Sequence, residues 1–268
     1  ASKEKTEDLL YQAMSLMEKK QPKSAISFFK KIIKRDPKNI DALYNQGIAL
    51  NQLRKYQDAI TCFDKVLEIN PKHITAINNR GIALAELGNT DDALEYYNKA
   101  IEIDPKYAAA HYNKGVLYDK LLQHEEAIQS LDEAIKCDSG NVNTAFYRGV
   151  VLGKIKKHEE ALNCFENIHR KHPKHMDAFF HKGMELAELG KHERALEIFD
   201  KLFQIHEGNV NVIYAMARSN AAIDNVGKAL YLLEQAVKKD RKTIKKWALE
   251  DEFFDSLRDE PKFRKLIM

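Results

Sequence analysis

Pro37, Pro71, Pro105 and Pro173 lie on one 34-residue grid, with Ser139 and Glu207 at the two grid points between and after them. A period of that size is the strongest constraint in the chain. Each block is one supersecondary unit that cannot bury its apolar face alone and must stack on its neighbours. The grid divides the chain into 6–39, 40–73, 74–107, 108–141, 142–175, 176–209 and 210–243.

Three positions fix what a block is. The eighth residue is always small: Ala13, Gly47, Gly81, Gly115, Gly149, Gly183 and Ala217. The twentieth is alanine throughout, from Ala25 to Ala229. The twenty-fourth is large: Phe29, Phe63, Tyr97, Leu131, Phe165, Phe199 and Leu233. Glycine inside a helix costs about 1 kcal/mol relative to alanine. A small residue facing a large one offsets that cost by letting two helices approach closely. Apolar spacing follows the helical period, so each block reads as helix A over positions 1–14, a short turn, and helix B over 17–30. Gly88 and Gly190 mark two of the turns, and lysine or arginine stands there in others. Pro22 suits the first turn of a helix B, and the thirty-second-position prolines stop that helix. Glycine and proline number only 11 and 6, which disfavours loop-rich β-structure.

Unit length, the small residue at eight, alanine at twenty, the aromatic at twenty-four and proline at thirty-two together resemble the tetratricopeptide repeat family, superhelical type. Position 4 departs from the family's frequent aromatic, with Leu43, Ile77, His111 and Ala145, and the last block carries Asn220 where a large apolar residue is usual. The resemblance implies an all-α, right-handed α-solenoid of about seven helix-turn-helix repeats over 6–243, with helix A lining a concave face. Such arrays expose apolar ends, and the tail 244–268 suits a helical cap. Trp247, Phe253, Phe254, Leu257, Phe263 and Leu266 would supply its contacts, while Asp251 replaces the small residue of a would-be eighth unit.

At 100° per residue, positions 5, 6 and 9 of helix A face away from helix B. Position 5 carries Tyr44, Asn78, Tyr112, Phe146 and Phe180, and position 9 carries Ile48, Ile82, Val116, Val150 and Met184. Two adjacent apolar rows either bind a partner segment or help neighbouring A helices pack. Asn45, Asn79 and Asn113 share position 6. An amide can pair with both the N–H and C=O of an extended backbone, and the resemblance implies such an asparagine ladder. Bonds between helices are the alternative. The carboxylate clamp that some family members use on chaperone tails is not matched, because Leu10 and Met14, or Tyr44 and Ile48, stand where lysine and asparagine are needed.

The remaining features exclude more than they assign. With 43 basic and 40 acidic residues, the net charge of +3 points to neither nucleic acid nor an anionic membrane. The start lacks the apolar core of a signal segment, although a cleaved one would leave no trace. Cys62, Cys137 and Cys164 are too sparse for a disulfide framework and fit a reducing, cytoplasmic setting. His169, His172 and His175 surround a helix-breaking proline and read as loop residues rather than zinc ligands, and His124, His158 and His192 stand a repeat apart. No phosphate loop, nucleophile elbow or HExxH pattern occurs. The expectation is a non-enzymatic protein-interaction scaffold without cofactor or metal, binding an extended peptide of a partner. Self-association into homo-oligomers through array ends or groove is the alternative.

Overall fold

A computed structural model describes residues 5–268. Helices A and B recur on the sequence period with lengths of 13 and 14 residues. They are α1 (Thr6–Glu18), α2 (Pro22–Arg35), α3 (Ile40–Gln52), α4 (Tyr56–Ile69), α5 (Ile74–Glu86), α6 (Thr90–Ile103), α7 (Ala108–Lys120) and α8 (His124–Cys137). The series continues with α9 (Val142–Lys154), α10 (His158–Lys171), α11 (Met176–Glu188), α12 (His192–Ile205), α13 (Val210–Ala222) and α14 (Val226–Lys239). Among the described residues there is no strand.

Each helix A ends one residue before the expected fourteenth position, for a definite backbone reason. The fifteenth residue is left-handed in every block: Lys20, Arg54, Leu122, Lys156 and Asp224 at φ 57–61°, and Gly88 and Gly190 at 84° and 73°. In the first hairpin the N–H of Lys20 bonds to Met17 and that of Gln21 to Leu16, the crossed pair that closes a Schellman motif. The same pair recurs at Arg54 and Lys55, and at Gly88 and Asn89. Helix B ends on an extended residue, as at Asp36 (φ −133°, ψ 91°) before Pro37. Asp138, before Ser139, adopts φ −140° and ψ 84° without a following proline, so the conformation belongs to the hairpin junction and proline merely favours it. Asn39, His73, His175 and Asn209 then cap the next helix A through a side-chain acceptor.

The small-against-large pairing holds within each hairpin. A Cβ built on Gly47 would lie 2.6 Å from Phe63 Cε1, on Gly81 2.7 Å from Tyr97, and on Gly183 2.6 Å from Phe199. Ala25, Ala59, Ala93, Ala127, Ala161, Ala195 and Ala229 are all fully buried. The chain divides into two compact units, one up to Asn141 and one from Val142. In the first, α1 to α8 stack as consecutive hairpins; in the second, α9 to α14 do the same. Buried Asn220 fits the last hairpin because its amide donates to Met216 O (2.8 Å) and its Oδ1 accepts from Asn225 (3.1 Å).

The tail of the second unit forms α15 (Arg241–Glu250), a 3₁₀ turn (Glu252–Leu257) and α16 (Pro261–Ile267), beginning three residues earlier than the sequence boundary. Ile244, Ala248, Phe254, Leu257, Phe263 and Ile267 are buried against α13 and α14. Trp247 is 41% exposed and meets the Tyr214 ring edge-to-face at 5.4 Å.

Candidate functional site

In the first unit, α3, α5 and α7 carry the amide and aromatic rows. Tyr44, Asn45, Ile48, Asn79, Ile82, Tyr112, Asn113 and Val116 are half-buried, whereas Asn78 is 4% exposed. Position 5 is less detached from helix B than the helical wheel implies. The Tyr44 ring lies 6.1 Å from that of Phe63 and 5.1 Å from His73. Its body packs inward and its hydroxyl stays at the surface, where it accepts from the Asn79 amide (3.2 Å).

The three asparagines of position 6 are oriented by their nitrogens. Asn45 Nδ2 donates to Asp41 O and Asn79 Nδ2 to Thr75 O, each at 2.8 Å and one helical turn back. Asn113 Nδ2 donates to Asn78 Oδ1 at 3.0 Å. Asn78 therefore serves as a buried acceptor between helices rather than as a surface group. The carbonyl oxygens of Asn45, Asn79 and Asn113 accept no hydrogen bond among the described residues and are not sealed from solvent.

Two of the basic residues at position 7 of helix A pair with a carboxylate on the preceding helix B. Arg80 Nε meets Asp64 at 2.6 Å and its guanidinium covers the Tyr96 ring at 4.2 Å. Lys182 meets Glu166 at 3.4 Å, and Arg148 Nη1 donates to Cys164 Sγ. On the groove side, Lys120 pairs with Glu86 at 2.8 Å.

In the second unit, Phe146, Val150, Phe180 and Met184 are half-buried on α9 and α11. Phe146 packs on Phe165 at 5.6 Å and on His181 at 5.2 Å, and His181 stacks on Phe165 at 5.1 Å. Burial holds the His181 imidazole below its ordinary value, with Asp177 pulling the other way. The histidines singled out by sequence have local partners: His169 stacks on Phe179 at 4.3 Å, His175 Nδ1 accepts from Ala178 N, and His158 Nδ1 lies 2.7 Å from Glu185.

Phe180 and Met184 also form one wall of a cleft of about 630 Å³, within the usual ligand-pocket range of about 300–1,000 Å³. Tyr214, Trp247 and Phe253 form other walls. At its floor Arg218 is 12% exposed, meeting Asp251 at 2.6 Å and Glu188 at 2.9 Å, with Phe253 under its guanidinium at 4.1 Å. Tyr214 Oη donates to Asp251 (2.8 Å). Burial first, then the Asp251 carboxylate, pushes the phenol up, so it stays a donor. Sequence reasoning treated the tail as a lid and missed its share of this cleft. The signal was present as three irregular residues: Arg218 among aliphatics, Asp251 in a small-residue slot, and a lone tryptophan.

Comparison with known proteins agrees with the repeated helical hairpins. Family profiles described as tetratricopeptide repeat match residues 39–106, and 78–142 with 148–209, together more than half of the chain. A profile for anaphase-promoting complex, cyclosome, subunit 3 matches residues 1–66. No curated protein matches. Among solved structures, a tetratricopeptide repeat protein from Parabacteroides merdae has TM-score 0.63 at 22% identity, covering 90% of this chain and 96% of that one. YrrB, described as a TPR protein with an unusual peptide-binding site, has TM-score 0.60 at 25% identity over 70% of this chain and 98% of its own. The Cut9–Hcn1 hetero-tetramer of the APC/C gives TM-score 0.65 at 16% identity, covering 97% of this chain and 48% of the matched one. The period, the hairpins and these matches agree, and the chain belongs to the tetratricopeptide repeat family.

Proposed function

We propose that this chain is a non-enzymatic scaffold whose A-helix face binds an extended segment of a partner protein. The observation that carries the reading is the set of three amides on α3, α5 and α7. Their nitrogens are tethered, while the carbonyl oxygens of Asn45, Asn79 and Asn113 remain open acceptors. Such pre-oriented acceptors suit the N–H groups of an extended backbone, since little ordering remains to be done on binding. Tyr44, Ile48, Ile82, Tyr112 and Val116 flank them as apolar contacts, and Phe146, Val150, Phe180 and Met184 form the corresponding surface of the second unit. The peptide-binding site described for YrrB supports the same use of this fold. Partition into seven repeats over 6–243 and a cap over 244–268 belongs to this proposal, as does a reducing, cytoplasmic setting for the three free cysteines.

The test uses peptides selected against the full chain from a random display library. Each lost amide–backbone bond removes about 0.5–1.5 kcal/mol. The triple substitution Asn45→Ala, Asn79→Ala, Asn113→Ala should therefore weaken the selected peptides by about ten-fold or more, with helicity by circular dichroism retained. Undiminished affinity would refute the ladder.

A further inference from the structure

We propose that the cleft beside the C-terminal helices is a subsite for a basic side chain, arginine or lysine, of the bound segment. This deepens the groove reading and rests on it. Charge decides the class of occupant. Four carboxylates (Glu188, Glu250, Asp251 and Glu252) line the cleft against two cations, Lys156 and Arg218. Arg218 is already held between Glu188 and Asp251, so within the lining the exposed Lys156 is set against the two exposed glutamates, Glu250 and Glu252. Glu250 and Glu252 are exposed and form no ion pair among the described residues.

The walls favour the same guest. Trp247 stands at the mouth with its edge-to-face contact on Tyr214 at 5.4 Å, and it is 41% exposed. A cation over an aromatic face is attracted by the ring quadrupole, most strongly with tryptophan. Phe180 and Met184 can cover the aliphatic stem of lysine or arginine while its charge reaches the glutamates. The cleft already uses this chemistry internally, where Arg218 lies on Phe253 between two carboxylates. A neutral apolar guest would instead have to desolvate Glu250 and Glu252, the two carboxylates that Arg218 does not pair, without compensation.

Trp247 is the chain's one tryptophan, so its emission reports on the cleft alone. The experiment takes the peptides selected against the full chain and replaces each arginine and lysine by glutamine, one at a time. One such replacement should weaken binding about ten-fold and abolish the change in Trp247 emission. Raising the salt should narrow the difference. In the variant Glu250→Gln, Glu252→Gln the parent and glutamine peptides should bind within about two-fold of each other. Because both residues are exposed, that variant should fold normally. Selected peptides that carry no basic residue, or whose glutamine versions bind equally well, would overturn the subsite while leaving the groove intact. Failure to select any peptide would overturn the groove reading itself.

Discussion

A methyl group added at Gly47 would sit 2.6 Å from Cε1 of the fully buried Phe63, closer than any carbon contact tolerates. Gly47→Ala gains helix propensity but forces that ring to shift within a packed interior. We expect a net loss of about 1–3 kcal/mol, read from urea unfolding. Adding Phe63→Leu should recover part of it, because Ala217 already stands opposite Leu233 in the last hairpin, both fully buried. Protonation acts at the same scale. Burial lowers His181, and likewise His169 and His192, so the unfolded chain takes up these protons first. Stability from the neutral rings is complete above about pH 6.5 and is lost as pH falls through their lowered folded values. The urea midpoint should drop between about pH 7.5 and about pH 5.5, and His181→Phe should reduce the drop. Glu185, raised by burial against the pull of His158, has the opposite sign: its share of stability is present below the ordinary carboxylate value and is lost as pH rises through the folded one.

At the scale of the element, the left-handed fifteenth residue divides backbone cost from packing cost. Neither Gly88 nor Gly190 has an atom within 4 Å of a built Cβ, so alanine there would meet only its own backbone. Gly88→Ala should cost about 1 kcal/mol. Leu122 adopts φ 61° with its side chain 78% exposed, so Leu122→Gly should leave stability unchanged or raise it by up to about 1 kcal/mol. Thermal unfolding followed by circular dichroism checks both. The helices were legible in the sequence because the small, alanine and large positions recur at fixed spacing and meet inside one hairpin. The site was less legible. A helical wheel treats helix A as isolated, yet Tyr44 reaches across to Phe63 and His73, and Asn78 turns inward because Asn113 of the next hairpin needs its oxygen. The tyrosine contacts lie inside one block and recur as Phe146 on Phe165 and Phe180 on Phe199, where a single-helix wheel cannot show them; the asparagine bond joins two blocks and has no mark in the periodicity of one.

For the molecule as a whole, the C-terminal tail determines how the last hairpin of the second unit is closed. The tail of the second unit covers α13 and α14 with Phe254, Leu257 and Phe263, all essentially inaccessible to water. Removing residues 241–268 would uncover that apolar surface and leave Arg218 with Glu188 as its remaining carboxylate, since its 2.6 Å bond to Asp251 would vanish. We expect the shortened chain to self-associate in sedimentation velocity at concentrations where the full chain does not. The single change Asp251→Ala should cost about 3–5 kcal/mol, because it leaves a buried guanidinium short of a partner. The sequence disclosed the tail's apolar content but not this anchoring, since a salt link between a repeat and its irregular successor follows no period.

The Schellman turn after every helix A has one more consequence. Its donors and acceptors, and the small-against-large contact of the two helices, all come from a single hairpin. A block can thus be copied or excised whole, and the new junction will find the same extended linker residue waiting. Growth by duplication needs no invention at the seam, which is how a chain of this kind can change its number of hairpins without relearning how to fold.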